Sequence, residues 1–308
     1  MGLQEELTET TMQSTQVLKE ALPYIQKFHG QTFVIKISGA LAEESQKLQN
    51  LAEEIALLHY VGIRVLVVHG GGPQATRLQK ALGVSPTIVE GRRVTDAMTL
   101  DVAKMVFAGK INVEILSHLR RAGARAVGLS GVDGNIINAH RRPPQKVKES
   151  NTDEVREVDF GFVGDIKNID PSLPQVLLDN GYIPVISPLG ADQEGGVYNI
   201  NADTVATELA ISLEAMKLLL LADVEGVYVE EEGQRRFLNR LSAKEASELI
   251  SSGKITGGMI PKIQNALRAV ERGVGRVQIL SGQIEGTLLN ELFTRKGCGT
   301  MIEKSQTS

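Results

Sequence analysis

Short apolar runs alternate along the chain with longer segments in which apolar residues recur every three or four positions. Thr32-Phe-Val-Ile-Lys-Ile37, Val65-Leu-Val-Val68, Ala126-Val-Gly-Leu129 and Ile183-Pro-Val-Ile186 are too short for helices and rich in branched aliphatics, so they read as buried strands. Lys217 to Leu221 and Val277 to Leu280 read the same way. Helical periodicity fills the intervals: a polar-rich helix ending at Tyr60 before Gly62, then Ala75 to Leu82, Asp96 to Arg121, Leu173 to Asn180 and Ala202 to Leu213. Ala243 to Ile250, Ile260 to Glu271 and Leu288 to Phe293 continue it. This alternation predicts an α/β three-layer sandwich with a mainly parallel central sheet and ligands at the carboxyl ends of its strands.

Two segments break the rhythm. Residues 3 to 29 read as an added helix with a stripe of Leu18, Leu22, Ile25 and Phe28; Pro23 should kink it and Gly30 should stop it. Residues 135 to 169 are charged, carry Pro143-Pro144 and include Val158-Asp-Phe-Gly-Phe-Val-Gly164, which predicts hairpins or a flap. Gly190 to Val197 is a further glycine-rich hairpin.

The strand at Val65 runs into Gly70-Gly-Gly-Pro73, with proline suited to a first helical turn. A turn needing positive φ would require one glycine; three allow the backbone to approach an anion at a helix N-terminus. The pattern is neither the dinucleotide fingerprint nor the P-loop, and Gly128-Leu-Ser-Gly-Val132 lacks the glycine that a nucleophile elbow needs two residues after Ser130. Lys36 lies within an apolar strand, where an ammonium is costly unless it reaches water or an anion. Asn199, Asn201 and Asp203, spaced two apart, would face one side in extended backbone; the competing reading makes an asparagine the cap of the next helix. Gly257-Gly258 precede a helix that carries Lys262. Two lysines, one aspartate and two glycine-rich anion sites, with no Ser-His-Asp set, fit phosphoryl transfer, which rests on positioning and charge.

Composition narrows the setting. With 33 Lys+Arg against 37 Asp+Glu among 308 residues, the net charge of −4 gives no drive toward nucleic acid or an anionic membrane. Cys298 is the single cysteine, so no intramolecular disulfide forms and a cytoplasmic location is expected. The five histidines have no metal-ligand spacing, and no apolar run reaches transmembrane length.

The chain resembles the amino acid kinase family, through Ala21-Leu-Pro-Tyr-Ile25, Val34-Ile-Lys36, His69-Gly-Gly-Gly-Pro-Gln74, Gly91-Arg-Arg-Val-Thr-Asp96, Tyr198-Asn-Ile-Asn-Ala-Asp203 and Gly257-Gly-Met-Ile-Pro-Lys262. The resemblance is to members that phosphorylate the side-chain carboxylate of N-acetyl-L-glutamate with ATP, in arginine biosynthesis. It implies that Lys36 and Lys262 neutralise the transferring phosphoryl group, that Asp203 orients them, and that Gly39, Gly71 and Gly72 receive the phosphate and the attacking carboxylate. It implies Arg93, Asn199 and Asn201 for the acid, and Asp223, Gly226, Gly258 and Met259 for ATP, with Mg2+ held by the nucleotide and no protein metal site.

The same resemblance divides the chain into a regulatory and oligomerisation helix (1–30), an acid-binding lobe (31–200) and an ATP-binding lobe (201–308). It implies feedback inhibition by L-arginine near Tyr24, Lys217, Gln278, Glu291 and Gly297. It also implies a homodimer core, a hexameric ring through the N-terminal helices, and a PII-type signalling protein as a partner. The chain departs from the family pattern at Ser38, where the side chain should crowd the phosphate path, and at Ala40, Val132 and Gln278. Two alternatives stand beside this reading: a kinase for a related acid such as N-acetyl-aminoadipate, and a catalytically weakened sensor homologue.

Overall fold

The computed structural model describes residues 16–89, 92–148, 155–231, 234–255, 257–295 and 297–304. Eight strands form the central sheet: β1 (Thr32–Ile37), β2 (Arg64–His69), β3 (Ala126–Ser130), β4 (Ile183–Ser187), β5 (Lys217–Ala222), β6 (Arg240–Ser242), β7 (Arg276–Ser281) and β8 (Thr300–Glu303). Their order is β6-β8-β7-β5-β1-β2-β4-β3. Only the β7–β8 pairing is antiparallel. The predicted mainly parallel sheet is therefore present, with a reversed two-stranded edge that periodicity did not reveal.

Helix α1 spans 16–28, and the start of the predicted N-terminal helix lies outside the described residues. It is helical on both sides of Pro23. The others are α2 (Ser45–Tyr60), α3 (Gly72–Ala81), α4 (Ala97–Ala103), α5 (Asn112–Arg121), α6 (Ser172–Asp179), α7 (Ala202–Ser212), α8 (Ala243–Ser251), α9 (Met259–Glu271) and α10 (Thr287–Phe293). The predicted single helix from Asp96 to Arg121 is α4 and α5 joined by a π-helical stretch, Lys104–Ile111. Asp96 caps it by accepting the Thr99 N–H.

Alternation along β1 sets the layers. Phe33, Ile35 and Ile37 face a core shared with α2, α4, α5 and α10. Val34 faces the opposite core, built from α7 and α9. In α2, Leu48, Leu51, Ala52, Ile55 and Ala56 are the buried residues that helical spacing demands. Strands buried on both faces explain why β1, β2 and β5 read as nearly continuous apolar runs.

Residues 135 to 169 form the expected ribbons, Ile137–Arg141 pairing with Gly164–Ile169 and Gln145–Lys148 with Val155–Val158. Leu189–Ala191 and Val197–Asn199 form the glycine-rich hairpin. A hairpin of Val227–Glu231 and Gln234–Leu238 was not anticipated. From β1 the chain fills one side of the sheet with β2, β3 and β4, then crosses to place β5 against the other edge of β1. That reversal opens a crevice beyond the carboxyl ends of β1 and β5.

Candidate active site

Lys36 shares its strand face with Val34, so its side chain leaves β1 toward α7. It is buried, with 8% of its surface exposed. Its Nζ lies 2.8 Å from Asp203 Oδ1. Lys262, in the first turn of α9, donates from Nζ to the other oxygen, Asp203 Oδ2, at 2.9 Å. One carboxylate thus holds two ammonium groups. Burial works to raise the Asp203 pKa, but the two lysines and their hydrogen bonds prevail and hold it at about 2. Burial lowers the Lys262 pKa, and the Asp203 charge opposes that.

Asn201 Oδ1 accepts the N–H groups of Asp203, at 2.9 Å, and Thr204, at 3.1 Å, and so caps α7. The extended arrangement of Asn199, Asn201 and Asp203 is thereby corrected: extended backbone ends at Asn201, and Asp203 sits in a helical first turn, where the dipole favours a carboxylate. All three still line one cavity, because the cap turns α7 toward it. Asn199 Nδ2 donates to Thr95 Oγ1 at 3.3 Å.

None of Gly70, Gly71 and Gly72 has positive φ, so conformation does not explain the triplet. Close approach does. A Cβ on Gly71 would meet Ile111 Cδ1 at 2.5 Å and the Phe107 ring at 2.6 Å, both on the π-helical stretch. A Cβ on Gly39 would meet Gly71 N at 3.0 Å. Gly72 faces open space at the start of α3.

Behind the triplet, His69 is fully buried and its pKa is lowered to about 4 by burial, against the effect of its bond to Gly70. Its Nδ1 donates to Gly70 O at 3.0 Å. Asn112 Nδ2 lies 3.4 Å from its Nε2 and shares its two hydrogens between that nitrogen, Val185 O at 3.0 Å and Leu129 O at 3.3 Å. Sequence reasoning gave His69 and Asn112 no role; a histidine ending a buried strand was the signal.

Two cavities meet here. One, of about 690 Å³, is lined by Gly39, Gly71, Gly72, Arg93, Asn199, Asn201 and Asp203. The other, of about 660 Å³, is lined by Asp223, Tyr228, Ile255, Gly258, Met259 and Lys262. Lys36, Ser38 and Asp223 border both. The Ser38 hydroxyl donates to Asp223 Oδ1 at 2.9 Å and accepts the Leu41 N–H at 3.2 Å, so it is turned to these partners rather than left free in the phosphate path. Gly226, expected at the nucleotide, does not line the cavity; it packs against Thr300, whose Oγ1 a Cβ would meet at 2.8 Å. Arg93 donates to Gln79 Oε1, Thr76 Oγ1 and Gly72 O, and burial lowers its pKa. Among the described residues no carboxylate pairs with it.

Residues 31–281 match the amino acid kinase family. The chain belongs to that family. It is 50% identical over 291 residues, 94% of its length and 99% of the relative's, to a protein of Methanoregula boonei named acetylglutamate kinase. A protein of the same name from Methanocaldococcus jannaschii is 45% identical, over 95% of this chain and 97% of its own. Among solved structures, N-acetylglutamate synthase from Neisseria gonorrhoeae, complexed with coenzyme A and N-acetyl-glutamate, superposes with a TM-score of 0.80 and 33% identity. That match covers 95% of this chain, which spans only 64% of the synthase. Carbamate kinase from Giardia lamblia bound to AMP-PNP matches with a TM-score of 0.63 and 21% identity, over 90% of this chain and 99% of its own, which is a likeness of fold. Membership of a kinase family makes ATP the phosphoryl donor.

The residues expected at an arginine site gather at the opposite end of the sheet. Lys217 opens β5, and its Nζ lies 5.2 Å from the centre of the Phe28 ring. Burial lowers its pKa to about 8, with Glu291 pulling the other way. Tyr24 packs 6.3 Å from Phe28 between ring centres. Gln278 lies on the same sheet face as Lys217, two register steps along, and its buried Oε1 has no hydrogen-bond partner among the described residues. Glu291 Oε2 accepts the Cys298 N–H at 2.9 Å, with Gly297 against it. On the outer side of α1, Val17, Leu18 and Leu22 are 65%, 70% and 50% exposed.

Proposed function

We propose that the chain transfers the γ-phosphoryl group of ATP to the side-chain carboxylate of N-acetyl-L-glutamate, giving ADP and an acyl phosphate for arginine biosynthesis. The observation that carries this reading is the pair of lysines held on one buried carboxylate where two cavities meet. The cavity of the glycine triplet and Arg93 takes the acid, and the cavity of Asp223, Gly258 and Met259 takes the nucleotide. The names of the relatives support this choice of acid.

In the transfer, a carboxylate oxygen forms a bond to the γ-phosphorus while the bond to the β,γ-bridging oxygen breaks. A carboxylate is already ionised at neutral pH, so no general base is required. Lys36, bordering both cavities, and Lys262 offset the charge gathering on the phosphoryl oxygens, and Asp203 fixes both ammonium groups before substrates arrive. The Gly39, Gly71 and Gly72 amides add donors that need no reorganisation. Arg93, with which no carboxylate of the described residues pairs, takes the α-carboxylate. Among the described residues, Lys36 and Lys262 take both Asp203 oxygens, and Asp223, the carboxylate that borders both cavities, accepts the Ser38 hydroxyl. This set suits Mg2+ carried on the nucleotide, where it neutralises phosphate charge.

The exposed Val17, Leu18 and Leu22 stripe supports assembly beyond a dimer through α1. The Gln278 Oε1, on the sheet face of Lys217 and without a hydrogen-bond partner among the described residues, supports a guanidinium ligand, L-arginine, as inhibitor. One experiment tests both parts. Acyl phosphate is trapped with hydroxylamine for N-acetyl-L-glutamate, N-acetyl-aminoadipate and free glutamate, with and without arginine. The full chain and a chain beginning near Gly30 are compared, with solution mass measured for each. Product with another acid and none with N-acetyl-L-glutamate refutes the substrate. A full-length dimer indifferent to millimolar arginine refutes the regulation.

A further inference from the structure

The direction in which Arg93 points is set from behind. Gln79, near the end of α3, is fully buried. Its amide has one permitted orientation: a guanidinium only donates, so Oε1 faces Arg93 Nη1, and Nε2 is left to donate to Thr99 Oγ1 at 2.8 Å. Thr99 is itself buried in the first turn of α4, where Asp96 Oδ1 takes its N–H at 2.7 Å. On the other side of the guanidinium, Nη2 donates to Thr76 Oγ1 and to Gly72 O, the latter at 3.1 Å. Thr76 Oγ1 in turn donates to Gly72 O at 3.0 Å.

Among the described residues the grip on Arg93 is thus made of neutral acceptors alone. A carboxylate at position 79 would hold the guanidinium at least as firmly, since charge-assisted bonds are stronger. It would also compensate the charge, and an incoming carboxylate would then meet a neutral pair. We propose that Gln79 is a positioning residue for acid recognition, fixing Arg93 at the cavity while leaving its positive charge free for the substrate. This rests on the reading of Arg93 under Proposed function. It adds that the neutrality of the supporting amide is itself a requirement of binding, because preorganisation helps only if the charge survives it.

The test uses the full-length protein and the hydroxylamine assay, with N-acetyl-L-glutamate and ATP varied separately, on Gln79→Glu, Gln79→Met and Arg93→Ala. The expected result for Gln79→Glu is a KM for the acid raised about tenfold or more, with the KM for ATP within about twofold. Gln79→Met keeps the charge but loses the grip, so its KM for the acid rises by less than in Gln79→Glu. A purely structural amide predicts the reverse order, because glutamate preserves the bond to Arg93 and methionine abolishes it. An unchanged KM for the acid in Gln79→Glu, or a larger rise in Gln79→Met, overturns the proposal. If Gln79→Glu does not fold, Gln79→Met decides: a rise in the acid KM alone supports the proposal, and equal rises for acid and ATP overturn it. An Arg93→Ala protein with an unaltered acid KM overturns the reading of Arg93 and this inference with it. A raised KM in Arg93→Ala beside a normal Gln79→Glu overturns only the role of Gln79.

Discussion

Replacing Asp203 with asparagine removes one charge and little volume, and the structure sets the size of the effect. The Asp203 pKa falls from 3.8 to about 2 although burial opposes its ionisation. That drop corresponds to roughly 2 kcal/mol of net preference for the carboxylate, won against burial by the two lysines. Coupling is reciprocal. An asparagine withdraws that stabilisation from the ammonium groups and leaves two like charges facing each other, with the charge of Asp223 still acting on Lys262. Lys262, whose pKa burial already lowers, then loses its proton more readily than beside Asp203. The expected outcome for Asp203→Asn is a turnover about 10²-fold to 10³-fold lower, in line with loss of a preorganised charge at a transferring group. The alkaline limb of its kcat–pH profile should move to lower pH, because a lysine now deprotonates within the working range. Hydroxamate formation at saturating ATP and N-acetyl-L-glutamate, from pH 6 to 9, measures both. A turnover within about threefold of wild type with an unshifted profile would refute the claim that Asp203 acts through the lysine charges.

Two further outcomes follow from the same geometry. Lys262→Ala should lower kcat by about 10²-fold or more while ATP still binds, because its charge acts on the group in transit; single-turnover kinetics with a nucleotide titration would separate this from a plain loss of affinity. Neutral buried His69 should make stability pH-dependent. Its pKa falls from 6.5 to about 4 on folding, so the unfolded chain binds the extra proton between these values. Folding free energy should therefore decline by about 3 kcal/mol as pH falls from 6.5 to 4 and level off below, by this group alone. His69→Gln should flatten that slope in denaturant titrations, and an equal slope in both proteins would refute the assignment.

Much of this protein was written locally. The period of apolar residues located β1, β2, β4, β5 and the helices between them, because a strand buried on both faces and a helix buried on one stripe each leave a short-range signature. Glycines at close approaches were legible too, since only packing or an anion explains three in a row. Pairing was not. The hairpin of Val227–Glu231 with Gln234–Leu238 is short, and most of its second strand is exposed, so no period marks it. Likewise β6 and β8 owe their place to the edge of β7 rather than to their own few residues.

The candidate site divides the same way. Lysine in an apolar strand flagged Lys36, and glycines before a helix flagged Lys262, but that one carboxylate would receive both is a consequence of sheet order and of the cap that turns α7. Asn201 carried a sequence signal for substrate and another for a cap; the backbone at 201–204 shows the cap, and the residue also lines the cavity. Gln79, Thr99, His69 and Asn112 look like ordinary polar residues in helices and at a strand end. Their importance comes from burial, and burial is a property of which elements pack together, which no local window of sequence contains.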